Sequence, residues 1–196
     1  RILWHENDGS NKSSFTTHSV RSAGESISGL KSGDIDNDGD EDIVLTLNSA
    51  NKVVWLENES SNNSSDRQFT ERTVSSNMLS VQSADVVDMD QDGDLDILSS
   101  STGNTPVVWH RNNGDESFTN IVVSQTLNTA GRITGVDMDD DGDADIVVSS
   151  NTTGQYYWFE NASDEEPLFN HYTFNIDISD MFSSHIVDLD GDGDND

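Results

Sequence analysis

The chain has 196 residues, with 38 Asp and Glu against nine Lys and Arg, and a formal net charge of −29. This charge disfavours binding to nucleic acid or to an anionic membrane without a bridging cation. No apolar run approaches the length of a membrane span. The sequence contains no cysteine, so disulfides cannot hold the fold.

Three markers recur in fixed order with spacings of 49 to 54 residues. A Trp comes first, a Phe follows it, and then an acidic loop begins. The Trp residues are Trp4, Trp55, Trp109 and Trp158, and the Phe residues are Phe15, Phe69, Phe118 and Phe169. A period of this length is typical of propeller blades or a solenoid.

Each repeat is predicted to contain four short strands, A to D. Strand A precedes the acidic loop, as in residues 83–87, and strand B follows it, as in 145–149. Strand C carries the Trp, as in 106–110, and strand D begins near the Phe, as in 117–123. Helical periodicity is absent. The fold prediction is all-β, with about four repeats that are β-propeller-type blades of four antiparallel strands.

The markers divide residues 1–196 into one repeat domain. Residues 1–26 are predicted to form strands C and D of a partial blade. Residues 27–80, 81–129 and 130–179 are three full repeats, and 180–196 form a strand A and its loop. In this division the chain starts at strand C and ends just before strand B, and three explanations stay open. The chain is a fragment of a longer propeller, a missing strand is disordered or unsequenced, or the chain is a polymer unit completed by its neighbours.

The acidic loops, numbered 1 to 4, span residues 34–42, 88–96, 137–145 and 188–196. Each has Asp at positions 1, 3, 5, 7 and 9 and Gly at position 6, and together they hold 22 of the 38 acidic residues.

Such a set of oxygen ligands suits Ca²⁺, with side chains at positions 1, 3 and 5, the carbonyl at 7, and both oxygens at 9. Position 12 is not Glu and β-branched residues follow, so the loop is not an EF-hand. The alternative is a solvated acidic turn without metal. The predicted ligands of about four Ca²⁺ ions are Asp34, Asp36, Asp38, Asp40, Asp42, Asp88, Asp90, Asp92, Asp94, Asp96, Asp137, Asp139, Asp141, Asp143, Asp145, Asp188, Asp190, Asp192, Asp194 and Asp196.

The Trp, Phe and His residues of strands C and D are interpreted as follows from their positions in the repeat. A periodic Trp can stack on a sugar or pack between neighbouring blades, and packing is the preferred interpretation. The Phe markers are predicted to be core residues. His5 and His110 follow the Trp in only two repeats, which favours surface positions for both.

Six Asn-x-Ser/Thr sequons are candidate N-glycosylation sites, in or near predicted turns: Asn11, Asn58, Asn62, Asn63, Asn151 and Asn161. Exposed turns suit glycosylation in a secreted protein. An extracellular location also fits weak calcium modules, because calcium is millimolar there.

The loop motif, followed by Ile-Val, by Val-Val-Trp-x-Glu-Asn and by Phe-Thr, resembles the FG-GAP/VCBS repeat family. This family includes the calcium-bearing blades of integrin α-subunit propellers. The resemblance covers nearly the whole chain and implies a β-propeller with calcium between strands A and B of each blade. It does not imply a ligand, because fold does not fix function.

No motif for nucleophilic, metalloprotease or phosphate chemistry is present, and the chain is predicted not to be an enzyme. The preferred function is an extracellular, secreted calcium-binding protein with a structural or adhesive role, with a protein or glycan partner outside the cell. One alternative is a subunit of a glycosylated filament formed by self-assembly. Another is a lectin-like module that binds carbohydrate through exposed aromatics such as Tyr156 or Tyr157.

Overall fold

The computed structural model describes residues 1–7, 9, 14–22, 24–59, 67–127, 130–150, 152–162, 168–175, 186–193 and 195. These residues form four antiparallel sheets with almost no helix, which confirms the all-β prediction. Within this part of the chain, no helix has the length and hydropathy that a membrane crossing requires.

Sheet I has two strands and sheets II to IV have four each. Sheet I contains β1 (Ile2–Asn7) and β2 (Phe15–Arg21). Sheet II contains β3 (Ile27–Gly33), β4 (Asp42–Leu47), β5 (Lys52–Asn58) and β6 (Phe69–Ser75), with a 3₁₀ turn at Asn48–Ala50. Sheet III contains β7 (Val81–Val87), β8 (Asp96–Ser101), β9 (Val107–Asn112) and β10 (Phe118–Ser124). Sheet IV contains β11 (Ala130–Val136), β12 (Asp145–Ser150), β13 (Gln155–Asn161) and β14 (Phe169–Asn175).

Sheets II to IV share one topology, in which consecutive strands pair in sequence order. The predicted strands A, B, C and D therefore correspond to the four strands of each sheet in turn. Strands β8 and β12 are buried at every position, and β4 at all but one. Because both faces of these strands are buried, their sequences consist mainly of apolar and small residues and do not alternate between apolar and charged residues.

The sheets stack face to face in chain order, and the apolar core lies between them. One cluster, which includes Trp55 and Ile97, joins sheets II and III, and another, which includes Trp109 and Ile146, joins sheets III and IV. The third joins sheets I and II and includes Ile2, Leu45, Leu47, Val54 and Leu56.

Each of two Trp markers contacts the Phe marker of the following sheet. Trp55 meets Phe118 at 6.4 Å between ring centroids, and Trp109 meets Phe169 at 6.5 Å, both edge to face. Trp55 and Trp109 are buried. The predicted packing of Trp between repeats is confirmed for these two residues.

The first strands of sheets II, III and IV lie side by side. Asp85 on β7 forms an ion pair with Lys31 Nζ on β3 at 2.8 Å. The same carboxylate accepts a hydrogen bond from Gly135 N on β11 at 3.0 Å. These polar links hold the acidic loops, which follow the same strands, next to one another.

The predicted surface position of His110 is wrong. His110 is fully buried, with Nε2 2.7 Å from Ser99 Oγ and Nδ1 2.6 Å from Asn120 Oδ1. Burial lowers its pKa to about 4, so the ring is neutral. Strand β9 is covered on both faces, which is why a polar side chain there needs internal partners. His5 is exposed, as predicted.

Candidate metal centre

The acidic loops join the first and second strands of sheets II, III and IV. Their backbone conformation repeats: Gly39, Gly93 and Gly142 at position 6 have φ of 94°, 94° and 98°. The position-1 carboxylate accepts the N–H of this glycine at 3.0 Å in loops 1 to 3, through Asp34, Asp88 and Asp137. A left-handed φ at this position explains the invariant glycine of the four loops. The tight turn folds the loop back on itself.

Three carboxylates converge in each loop. Single oxygens of positions 1, 3 and 9 lie within 4.8 Å of one another in loops 1 to 3, and those of positions 1, 3 and 5 do so in loop 4. The converging residues are Asp34, Asp36 and Asp42; Asp88, Asp90 and Asp96; Asp137, Asp139 and Asp145; and Asp188, Asp190 and Asp192. The loop is therefore able to present several oxygen ligands to one cation.

Some oxygens of these carboxylates are shielded from solvent and accept no hydrogen bond: Asp88 Oδ1, Asp90 Oδ1 and Asp137 Oδ1. A buried carboxylate oxygen without a partner is costly unless a cation or another donor compensates it. The donor set contains only oxygen, which suits a hard cation such as Ca²⁺. The residues present therefore fit the metal implied by the sequence.

The position-9 carboxylate has a second role, because backbone N–H groups bind both of its oxygens. Asp42 Oδ1 accepts from Asn58 N at 2.7 Å, and Asp42 Oδ2 accepts from Ile35 N at 3.0 Å. Asp96 and Asp145 repeat this arrangement with distances of 2.7 and 3.1 Å. The oxygens of Asp42 and Asp96 each keep a lone pair for a cation, whereas Asp145 Oδ2 also accepts a hydrogen bond from Trp158 Nε1 at 2.9 Å. The residue thus ties the loop to the end of strand C with or without metal.

Burial changes the proton affinity of these groups. Desolvation raises the pKa of Asp42 to about 6 and that of Asp96 to about 7, against the lowering effect of the N–H donors. The pKa of Asp145 is raised by the same cause. Desolvation and the neighbouring carboxylates also raise the pKa of the position-3 groups Asp36, Asp90 and Asp139. A bound cation would favour the ionised form of each.

Positions 5 and 7 lie outside the converging group in loops 1 to 3. The position-5 carboxylates of Asp38, Asp92 and Asp141 accept the N–H two residues later at 2.9 Å. Position 7 contacts the preceding loop: Asn37 Nδ2 donates to Asp94 Oδ1 at 2.6 Å, and Gln91 Nε2 donates to Asp143 Oδ1. Asp40 is 3.8 Å from Arg67 Nη1. Asp194 and Asp196 lie outside the described residues.

Two of the six candidate glycosylation sites, Asn58 and Asn161, are buried residues at the ends of strands β5 and β13. Asn58 is 2% exposed and donates from Nδ2 to Glu41 O at 3.1 Å. Asn161 is 5% exposed and donates from Nδ2 to Met89 O at 3.1 Å. An N-glycan is attached to this same nitrogen, and modification in the folded state would disrupt these bonds. The other four sequons, at Asn11, Asn62, Asn63 and Asn151, lie outside the described residues.

In sheets III and IV, the buried Asn that stands three residues after the Trp joins neighbouring repeats. Asn112 Nδ2 donates to Ile35 O of the preceding loop at 2.8 Å and to Leu95 O of its own loop at 3.2 Å. Asn161 makes the equivalent pair of bonds to Met89 O and Ala144 O. The sequence does carry a signal for this role, because Asn stands three residues after the Trp in all four repeats. Two of these, Asn7 and Asn112, are not sequons.

The two tyrosines expected to be exposed are half-buried. Tyr157 packs against the core between sheets III and IV, and its hydroxyl donates to Gln155 Oε1 at 2.8 Å. The exposed aromatic side chains of sheet IV are instead Tyr172 and Phe174 on β14.

Comparison with known families agrees with this geometry. The profile of the FG-GAP-like repeat matches residues 34–99 and 88–148. Each match begins at the first Asp of an acidic loop and ends in the strand after the next loop, so the matches overlap in loop 2. No curated protein matches the chain significantly. Because the two matches together span more than half of the sequence, the chain belongs to the FG-GAP-like repeat family.

Proposed function

We propose that the four acidic loops bind calcium and that the ions stabilise a β-propeller-type stack of blades. The observation that carries this proposal is the convergence of three carboxylates in each loop, at positions 1, 3 and 9 in loops 1 to 3 and at positions 1, 3 and 5 in loop 4. In loops 2 and 3, some buried oxygens of these carboxylates have no hydrogen-bond partner. Calcium accepts an irregular shell of six to eight oxygens, whereas magnesium requires a small octahedron and retains its waters. The loop carbonyls and the carboxylates of positions 5 and 7 are available to complete such a shell after a local rearrangement.

The proposed blades follow the predicted division of the chain. Residues 27–80, 81–129 and 130–179 each contribute one four-stranded blade, residues 1–26 contribute strands C and D, and 180–196 contribute strand A and loop 4. The stacking of sheets II to IV through adjacent first strands supports this arrangement.

We place the protein outside the cell in a structural or adhesive role. FG-GAP-like repeats are typical of extracellular proteins, and millimolar calcium there would fill even weak sites. The proposed partner is a protein or a glycan, and no catalytic activity is part of the proposal. We propose glycosylation at the sequons Asn11, Asn62, Asn63 and Asn151. Among the alternatives, the half-buried Tyr156 and Tyr157 do not favour a lectin, and a glycosylated filament formed by self-assembly stays an alternative.

The test uses two variants of loop 3 that remove one charge each. Asp139→Asn removes a converging carboxylate, whereas Asp140→Asn changes position 4, which has a φ of 58° and is Asn in loop 1. We expect isothermal titration with calcium to give about four sites in the intact chain and in Asp140→Asn, and one fewer or one much weaker site in Asp139→Asn. Equal binding by the two variants, or no calcium binding by the intact chain, would refute the proposal.

A further inference from the structure

The Trp of strand C lies diagonally across from the position-9 Asp in sheets II to IV. Position 9 is the first residue of strand B in these sheets, and the Trp pairs with the residue two positions further along that strand. The three pairs are Val44 with Trp55, Leu98 with Trp109 and Val147 with Trp158. Residues two apart on a strand point to the same face, and a diagonal neighbour is within reach of an aromatic side chain. The register therefore places each indole on the same face as a position-9 carboxylate.

In sheet IV the indole reaches this carboxylate. Trp158 Nε1 donates to Asp145 Oδ2 at 2.9 Å. The backbone N–H groups of Met138 and Asn161 also donate to Asp145, at 3.1 and 2.7 Å, so the indole supplies a third N–H to one buried carboxylate. Asp145 Oδ1 accepts from Asn161 and keeps a lone pair that faces no donor of this group.

In sheets II and III the indole N–H is enclosed together with the carboxylate. Trp55 and Trp109 are 1% and 3% exposed, and their Nε1 atoms are shielded from solvent without a hydrogen bond of good geometry. Burial raises the pKa of Asp42 and Asp96, and these indole N–H groups are among the donors that oppose the rise. A buried N–H without a partner is costly, and a short movement of the carboxylate towards it would remove the cost.

We propose that the Trp of strand C is a positioning residue of the calcium site, and that its indole N–H orients the position-9 carboxylate for the ion. The inference rests on the proposed calcium function and assigns Trp55, Trp109 and Trp158 to loops 1, 2 and 3. An N–H that donates to a metal-binding carboxylate fixes its orientation and favours its ionised form, which is the form that a cation binds. The indole is not itself a ligand, because it is a donor only.

The same rings connect the loops to the contact between sheets. Trp55 and Trp109 lie edge to face on Phe118 and Phe169 of the following sheet. A position-9 carboxylate that is held by the indole is therefore tied to the ring on which the next sheet packs. This connection gives the recurring Trp a role in the metal site as well as in the core.

Trp109→Phe tests the role of the N–H, because an aromatic ring still faces Phe169 while the donor is lost. Isothermal titration with calcium should show one site weakened by about tenfold or more, with the others close to their original affinities. Trp4→Phe is the matched control, since Trp4 holds the same repeat position and no acidic loop stands before it in the sequence. Its calcium affinities should equal those of the intact chain.

Urea unfolding separates a lost donor from lost packing. A packing defect lowers the unfolding midpoint of Trp109→Phe equally in EDTA and in calcium. A weakened site lowers the midpoint further in calcium, because binding to the folded state stabilises it by mass action. We expect the larger loss in calcium, and equal losses in the two buffers would overturn the positioning role.

The indole N–H resonances of the intact chain provide a spectroscopic signature. On titration with calcium, the ¹H–¹⁵N signals of Trp55 and Trp109 should shift as their N–H groups gain an acceptor, and that of Trp4 should stay in place. Signals of Trp55 and Trp109 that do not move while calcium binds would contradict the inference. If the intact chain binds about four ions and Trp109→Phe binds them with the same affinities, the positioning role alone fails. If the intact chain binds no calcium, the calcium proposal fails with it.

Discussion

The position-9 carboxylate of each acidic loop connects segments that are distant in sequence. Through Asp96, the start of loop 2 at Met89 and the end of strand β9 at Asn112 are hydrogen-bonded to one side chain. The Asn112 side chain then extends the connection to loop 1 through Ile35 O. Because all of these groups are buried, each bond avoids a desolvation cost that the folded chain would otherwise bear.

Removing the Asn side chain should therefore destabilise the fold. Asn112→Ala leaves Ile35 O without its side-chain donor, and we expect a loss of about 1–3 kcal/mol in the free energy of unfolding. Asn113→Ala is the matched control, since Asn113 is exposed and should cost under about 1 kcal/mol. Urea unfolding at saturating calcium measures both. Equal losses in the two variants would contradict the proposed role of Asn112.

The raised pKa values of the position-9 groups predict an unusual pH dependence without metal. The pKa of Asp42 is about 6 and that of Asp96 about 7 in the folded chain, whereas the ordinary value is 3.8. Between these values the folded state binds protons that the unfolded state has lost, so its stability falls as pH rises. Metal-free protein should melt at a higher temperature near about pH 5 than near about pH 7.5.

Calcium should reverse this trend, because protons then compete with the ion for the same carboxylates. Melting curves at the two pH values, with metal-free protein and with calcium, make the comparison. Asp96→Asn should flatten the metal-free trend, and Asp115→Asn, an exposed change outside the loops, should not. If the melting temperature of the metal-free protein rises with pH, the buried carboxylates do not dominate the pH dependence of its stability.

At the scale of strands and sheets, stacking requires close approach between first strands. A methyl group added to Gly135 on β11 would lie 3.1 Å from Leu98 Cδ1 and well inside van der Waals contact with Val87 Cγ1. Val87 belongs to sheet III and is a stiff, β-branched residue. The absence of a side chain at Gly135 is what lets sheets III and IV meet here.

Gly135→Ala should consequently destabilise the chain by about 1–3 kcal/mol through overpacking. Gly24→Ala is the control, because no atom lies within 4 Å of its added methyl group, and its effect should stay within about 0.5 kcal/mol. Chemical denaturation in calcium buffer measures the difference. Similar stabilities of the two variants would mean that sheets III and IV adjust freely, contrary to the packing described.

The sequence predicted the strands well because three signals agree at that scale. The loop, the Trp and the Phe recur in register, and β9 at Val107–Asn112 and β10 at Phe118–Ser124 lie within two residues of their predicted bounds. The packing of Trp55 and Trp109 followed from the same periodicity.

Burial of polar residues was harder to predict, since it depends on which neighbouring sheet covers a strand. A sequon motif at Asn58 reads as an exposed turn, although the residue ends a strand and its side chain is buried. His110 likewise looked like a surface residue because nothing local identifies Ser99 and Asn120 as its partners. The converging positions 1, 3 and 9 also depend on how the loop turns, which spacing alone does not specify.

On the scale of the whole molecule, charge opposes folding and the proposed ions offset it. Four calcium ions would reduce the net charge from −29 to about −21 and would do so where carboxylates converge. Because the sheets contact mainly their neighbours in the stack, each ion should stabilise its own blade and the next most strongly. The hydrogen bonds from Asn37 to Asp94 and from Gln91 to Asp143 link successive loops in the same order.

Thermal unfolding with and without calcium tests the structural role of the loops most directly. Binding to the folded state alone raises the melting temperature by mass action. Circular dichroism of the intact chain should show a melting temperature in excess EDTA that is lower by more than about ten degrees than in millimolar calcium. Magnesium at the same concentration should recover little of the difference. An unchanged melting temperature in EDTA would contradict the account.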